Sequence, residues 1–196
     1  MKRILLITLL AWMASACTGT RFMANPDPAV LEKDYANAYE TVGVRGKTSE
    51  GSPDEAGDMV ADFAYELRTS RFAEGVYTEI DPGDDVSVML ESSFDVTVDR
   101  NSASNTMKSV LTGLTLFLLE PVFWYKEGYE LEGEVVVMRD GERLGTVEAQ
   151  TNVTIQLKYF SMSERDEVRS DALSKRKTAL YRKLMTGIAS KLDASG

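Results

Sequence analysis

Histidine is absent from the 196 residues, which excludes a histidine triad, imidazole metal ligands and an imidazole pH switch. The single cysteine excludes an intrachain disulfide and a cysteine-rich metal site. Basic side chains are few: 22 Lys and Arg face 31 Asp and Glu, a formal net charge of −9. Broad nucleic-acid binding needs cations opposite phosphates, so that class is set aside. No apolar run is long enough to span about 30 Å of hydrocarbon as a permanent helix. Neither a G-x-S-x-G nor an S-x-x-K motif is picked out, so serine chemistry has no support. What is present, 43% hydrophobic and 27% charged residues, is the composition of a folded domain with a real core.

Residues 1–17 read MKRILLITLLAWMASAC. Lys2 and Arg3 precede an apolar run from Ile4 to Met13, and Ala14, Ser15 and Ala16 are small. This is the pattern of a cleaved export signal over residues 1–16. The order Ala14-Ser15-Ala16-Cys17 resembles a bacterial lipobox, although Ala14 stands where that motif usually has Leu. In lipobox proteins the cysteine becomes the first mature residue and carries lipid on its sulfur and its amine. An ordinary cut after Ala16 would instead leave Cys17 as a free thiol. The resemblance implies a membrane partner through lipidated Cys17, since two or three acyl chains anchor far more firmly than one. An Asp directly after the cysteine retains such proteins at the inner membrane. Thr18 at that place implies the periplasmic face of the outer membrane. Without residues 1–16, which include Lys2 and Arg3, 20 basic and 31 acidic side chains remain, a net charge of −11.

Residues 17–40, with Pro26 and Pro28, read as a lipidated tether, and residues 41–196 as one domain. Thr41 to Lys47 is a short strand candidate. Met59, Val60, Phe63, Ala64 and Leu67 recur at spacings of three and four, which predicts a helix ending near Gly75. Val76 to Ile80 would be a second short strand. Three long strands follow. Val88, Leu90, Phe94 and Val96 alternate with Met89, Glu91, Asp95 and Thr97. Tyr129, Leu131, Val135 and Val137 alternate with Glu130, Glu132 and Glu134. Val147, Thr151, Val153 and Ile155 alternate with Glu148, Asn152 and Thr154. This period of two predicts an antiparallel sheet with one buried and one wet face. Asp140-Gly141 joins the last two strands as a tight hairpin. Leu173, Leu180, Leu184, Ile188 and Leu192 form the stripe of a closing helix over 168–192. The fold class is therefore α+β: a two-layer sandwich, with an antiparallel sheet of long strands covered by two helices.

One segment does not fit that scheme. Residues 110–125, VLTGLTLFLLEPVFWY, carry Glu120 as their only charge and lie where a turn is expected. They read either as core or as a surface that meets a partner protein, acyl chains or a bilayer. The candidate contact residues there are Leu114, Phe117, Leu118, Phe123 and Trp124. The charge is also uneven. Residues 161–196 hold eight basic and five acidic side chains, a net of +3. Lys175, Arg176 and Lys177 lead the candidates for contact with anionic headgroups or lipid phosphates, with Arg169, Arg182, Lys183 and Lys191 on or near the same helix.

Other motifs are weaker. Gly43 to Thr48, GVRGKT, lacks the first glycine of a phosphate loop. Asp81, Asp84 and Asp85 do not have the spacing of a calcium loop. Glu130, Glu132 and Glu134 read as a solvated face. No catalytic residue, cofactor or metal ligand set is expected.

A lipobox followed by strand, helix, long strands and closing helix is similar to small Gram-negative envelope lipoproteins. The element order also resembles the lipopolysaccharide-assembly lipoprotein and the N-terminal domain of TolB-like proteins. The resemblance implies a non-enzymatic accessory module with an envelope protein partner. The alternative is direct binding of lipopolysaccharide or another amphiphile through 110–125 and the basic closing helix.

Overall fold

A computed structural model describes residues 22–24, 34–49, 57–80, 85–115, 123–157 and 165–195. The leader with Cys17, most of the tether, Phe117, Leu118 and the Asp81–Asp84 turn lie outside the described residues. The described elements run β1 (Phe22–Ala24), β2 (Tyr39–Thr48), α1 (Met59–Thr69), β3 (Ala73–Tyr77), β4 (Val88–Asp99), α2 (Ser102–Leu114), β5 (Tyr125–Arg139), β6 (Glu142–Leu157) and α3 (Arg165–Ala194). The architecture is α+β, as the patterning predicts.

The strands form one mixed sheet in the order β1-β6-β5-β4-β2-β3. The long strands β4, β5 and β6 pair antiparallel, and β1 pairs antiparallel with β6. Among the described residues, parallel pairing is confined to β2, with β3 on one side and β4 on the other. The β2-α1-β3 crossover supplies that parallel edge. Asp140 and Gly141 both take positive φ, 50° and 82°, the geometry that lets a two-residue turn follow the twist of β5 and β6. Gly46 of the GVRGKT stretch lies in β2 opposite Ser92. A Cβ there would meet the Ser92 carbonyl oxygen at 1.8 Å, so this glycine serves strand approach rather than phosphate binding.

Asp58 caps α1, its carboxylate accepting from the N–H groups of Val60 and Ala61. The helix stops at Thr69 and not near Gly75, which lies inside β3. Arg71 takes φ 54°, its N–H donates to the Arg68 carbonyl, and the Phe72 N–H donates to the Leu67 carbonyl. That double closure ends the helix with a non-glycine residue in the left-handed position, and buried Phe72 and Leu67 complete it. β3 consequently starts three residues earlier than the spacing suggests, and β2 starts at Tyr39, just before the expected domain boundary.

The core lies between one face of the sheet and helices α1 and α3. Leu173, Leu180, Leu184, Ile188 and Leu192 of α3 are buried, as are Met59, Phe63, Ala64 and Leu67 of α1. A Cβ at Gly187 would come within 2.5 Å of Val147 Cγ1, so the glycine permits the close approach of α3 to β6. Phe63, Phe94 and Tyr181 meet with ring centroids 5.5–5.7 Å apart and join α1, β4 and α3.

The Tyr181 hydroxyl is buried and finds no hydrogen-bond partner among the described residues. Burial, then the charges of Asp62, Asp58 and Glu66, push its ionisation well above the usual phenol range. Tyr39 is pushed up to about 12, first by burial and then by its hydrogen bond to Asp193. A phenol raised in the folded state favours folding below its unfolded value of 10.0, and that contribution is lost as pH climbs through the raised value. Stability should therefore decline above about pH 10. Tyr181→Phe should raise stability by about 1 kcal/mol at neutral pH, because an unpaired buried hydroxyl is removed. Urea unfolding at pH 7 and at high pH checks both; a Phe variant less stable than the parent would show that the hydroxyl is paired.

Candidate functional site

Helix α2 occupies the first part of the segment that resisted assignment. The Asp99 carboxylate receives the Asn101 N–H and turns the chain out of β4. Asn101 then enters the helix at φ 43°. The Asn105 side chain donates to the carbonyls of Arg100 and Lys126 and accepts from the Lys126 N–H. Lys108 donates to the Trp124 carbonyl at 2.8 Å. These polar bonds dock α2 against the start of β5.

The apolar side chains point the other way. Met107, Val110, Leu111 and Leu114 follow the spacing i, i+3, i+4, i+7 and so form one stripe. Their exposures are 68%, 55%, 39% and 76%. Surface helices ordinarily bury such a stripe and wet their polar face; α2 is inverted. Val110, Leu111 and Leu114 of 110–125 are therefore surface rather than core, while Tyr125 at the end of that segment is buried. Leu114, one of the candidates from sequence, is its most exposed member. Phe123 and Trp124 are half-buried at the foot of the helix.

No protein-family model and no curated protein matches the chain. Solved structures of similar fold include a DUF330 protein from Xanthomonas campestris, 10% identical, covering 87% of this chain and 94% of that one at a TM-score of 0.43. A minor lipoprotein from Acinetobacter baumannii is 9% identical over 80% of this chain and 92% of its own, with a TM-score of 0.38. The PelC dodecamer from Paraburkholderia phytofirmans is 13% identical over 86% and 97%, with a TM-score of 0.32. Likeness of this degree carries no argument about activity or partners.

The basic residues of α3 are not gathered into one cationic face. Arg176 is buried at 4% exposure. Lys177 donates to Asp62 at 2.8 Å, and Arg182 to Glu66 at 2.8 Å, bonds that tie α3 to α1. Lys183 donates to the Gln150 carbonyl. Lys175 is exposed and paired with Asp171 one helical turn away. Arg169, expected as a surface cation, is buried with Glu127, which also accepts from the Tyr129 hydroxyl. Most of these cations hold the layers together.

One spacing missed from sequence is Ser174-x-x-Lys177, a nucleophile-and-base pattern. The Lys177 ammonium of that pattern donates to Asp62 at 2.8 Å. Among the described residues, no group of three or more His, Cys, Asp or Glu could hold a metal ion, and no helix is long and apolar enough to cross a membrane. Sequence reasoning also missed Met107, although its spacing to Val110, Leu111 and Leu114 was there to be counted.

Proposed function

We propose that this is a lipid-anchored, non-enzymatic accessory protein of the periplasmic face of the outer membrane. Its helix-backed sheet holds α2 outward as a docking surface in envelope assembly or transport. One observation carries the reading: α2 is joined to the body by polar bonds and turns four apolar side chains to solvent. The anchor rests on the Ala14-Ser15-Ala16-Cys17 order. The basic-helix version of amphiphile binding loses support, because Arg176 is buried and Lys177 is committed to Asp62.

Two measurements test this. Radiolabelled palmitate should enter the protein and be lost in Cys17→Ser. Met107 should oxidise readily with peroxide in the purified protein yet be protected in intact envelopes; equal oxidation in both would refute docking through α2. A third expectation separates surface from core. Leu111→Asp/Leu114→Asp should leave the unfolding free energy from urea titration within about 0.5 kcal/mol of the parent for each site, as for surface positions generally. Loss of several kcal/mol would show that α2 is packed.

A further inference from the structure

We infer that the apolar face of α2 seats in the phospholipid leaflet that holds the Cys17 lipid. This deepens the proposed function and rests on its anchor. The first argument is the register of the sheet. Leu157 of β6 pairs with Phe22 of β1 on one side and with Tyr125 of β5 on the other. Ile155 likewise pairs with Ala24 and with Glu127. Phe22 is therefore level with Tyr125, and β1 runs in the same direction as β5. The chain upstream of Phe22 leaves the sheet at the end where Trp124 and Lys126 hold α2. Two strand spacings, about 10 Å, separate the two exits. Five residues join Cys17 to Phe22 and reach at most about 17 Å. A bilayer-embedded Cys17 thus keeps the end of the sheet that carries α2 close to the lipid surface.

Charge is the second argument. Residues 100–119 contain no Asp or Glu, in a chain with 31 of them. Arg100 and Lys126 are exposed beside α2, and Lys108 lies on its docked side. Asp99 at this end accepts the Asn101 N–H, and the exposed acids there lie on the first turn of α3 and not on α2: Asp166, paired with Arg169, and Glu167. The carboxylates of the open sheet face begin at Glu130, further along β5. An acidic protein held at an anionic leaflet needs an acid-free contact surface, and α2 supplies one with apolar side chains at its centre. Half-buried Phe123 and Trp124 at its foot suit headgroup depth. A helix of this length binds lipid weakly alone; the anchor makes its insertion an intramolecular step.

The test uses the full-length protein, processed and purified from envelopes. With Cys17 acylated, Leu114→Cys offers the only thiol for an environment-sensitive fluorophore. The protein is mixed into phosphatidylethanolamine–phosphatidylglycerol vesicles with brominated acyl chains. The expected result is co-flotation, a blue-shifted label and loss of most of its emission to the bromines. A label at Glu132→Cys, on the open sheet face, should stay water-like. Arg100→Glu/Lys126→Glu should reduce the quenching at position 114 in these vesicles more than in phosphatidylcholine. Co-flotation with an unquenched label at position 114 overturns the inference and leaves the anchor standing. Failure to float, with a second label on Cys17, overturns the anchor and this inference with it. A blue shift without vesicles marks a second copy as the occupant, and protection found only in native envelopes marks a protein; either result overturns lipid.

Discussion

Arg169→Ala should destabilise the protein by about 3–5 kcal/mol, read as a lowered urea midpoint. Both members of the Arg169–Glu127 pair are nearly sealed from water, with side-chain exposures of 6% and 8%. Arg169 donates to Glu127 at 3.1 Å and to Asp166 at 3.2 Å, and Tyr129 donates to the same Glu127 oxygen. Removing the guanidinium takes away the cation that the buried Glu127 carboxylate meets at 3.1 Å. The cost comes from that stranded charge more than from the worth of the pair. The double change Glu127→Leu/Arg169→Met should therefore recover most of the loss, because it removes both charges and keeps the volume. A single variant that costs under about 1 kcal/mol would show the pair to be hydrated. The pair joins the first turns of α3 to the start of β5, next to Lys126, to which α2 is clamped. Arg169→Ala should for that reason loosen α2 before the rest of the domain, which hydrogen exchange at residues 102–114 can detect.

That pair also shows where the sequence stopped being readable. A basic residue on a polar helix reads as solvated, and nothing local marks Glu127, 42 positions earlier, as its partner. The long strands were legible because a wet face and a buried face impose a period of two over every residue of β4, β5 and β6. The stripe of α3 was legible for the same reason at a period near 3.6. The end of α1 was not: Arg71 takes a conformation that composition assigns to glycine, and Gly75 drew the boundary instead. Helix α2 was obscured by its own inversion. A polar first half, Ser102 to Thr106, drew no assignment, and the apolar second half, within 110–125, read either as core or as a contact surface. Orientation settles its character, because Asn105 and Lys108 face the body and Leu111 and Leu114 do not. Of the candidate contact residues, Leu114 is the one that lies on α2, and it is 76% exposed. Arg176 and Lys177 are bound into the body, since a helix lying on both a sheet and an acidic neighbour uses its cations there.

Phe63→Ala should cost about 3–5 kcal/mol and lower the melting temperature by roughly 10 °C in a protein of this size. Phe63 is fully buried, and its ring meets Phe94 at 5.7 Å edge-on and Tyr181 at 5.5 Å. The three rings come from different elements, so truncation opens a void bounded by α1, β4 and α3 that no single side chain can fill by changing rotamer. The other polar attachments of the β2-α1-β3 edge to α3 are the Lys177–Asp62 and Arg182–Glu66 bonds and the Tyr39 hydroxyl, which donates to the Ala189 carbonyl and to Asp193, and each is individually weak. Unfolding should consequently begin at that edge, with exchange of β2 and β3 amides ahead of those of β5 and β6. Leu114→Ala is the matched comparison. It also deletes a large apolar side chain, but one already 76% exposed, so its expected cost is within about 0.5 kcal/mol. Equal losses in the two variants would mean that α2 packs as firmly as the ring cluster, and both docking proposals would fall together. A wide gap in stability, with the envelope protection of Met107 lost in Leu111→Asp/Leu114→Asp and kept in Phe63→Ala below its melting point, would separate the residues that build this fold from those that use it.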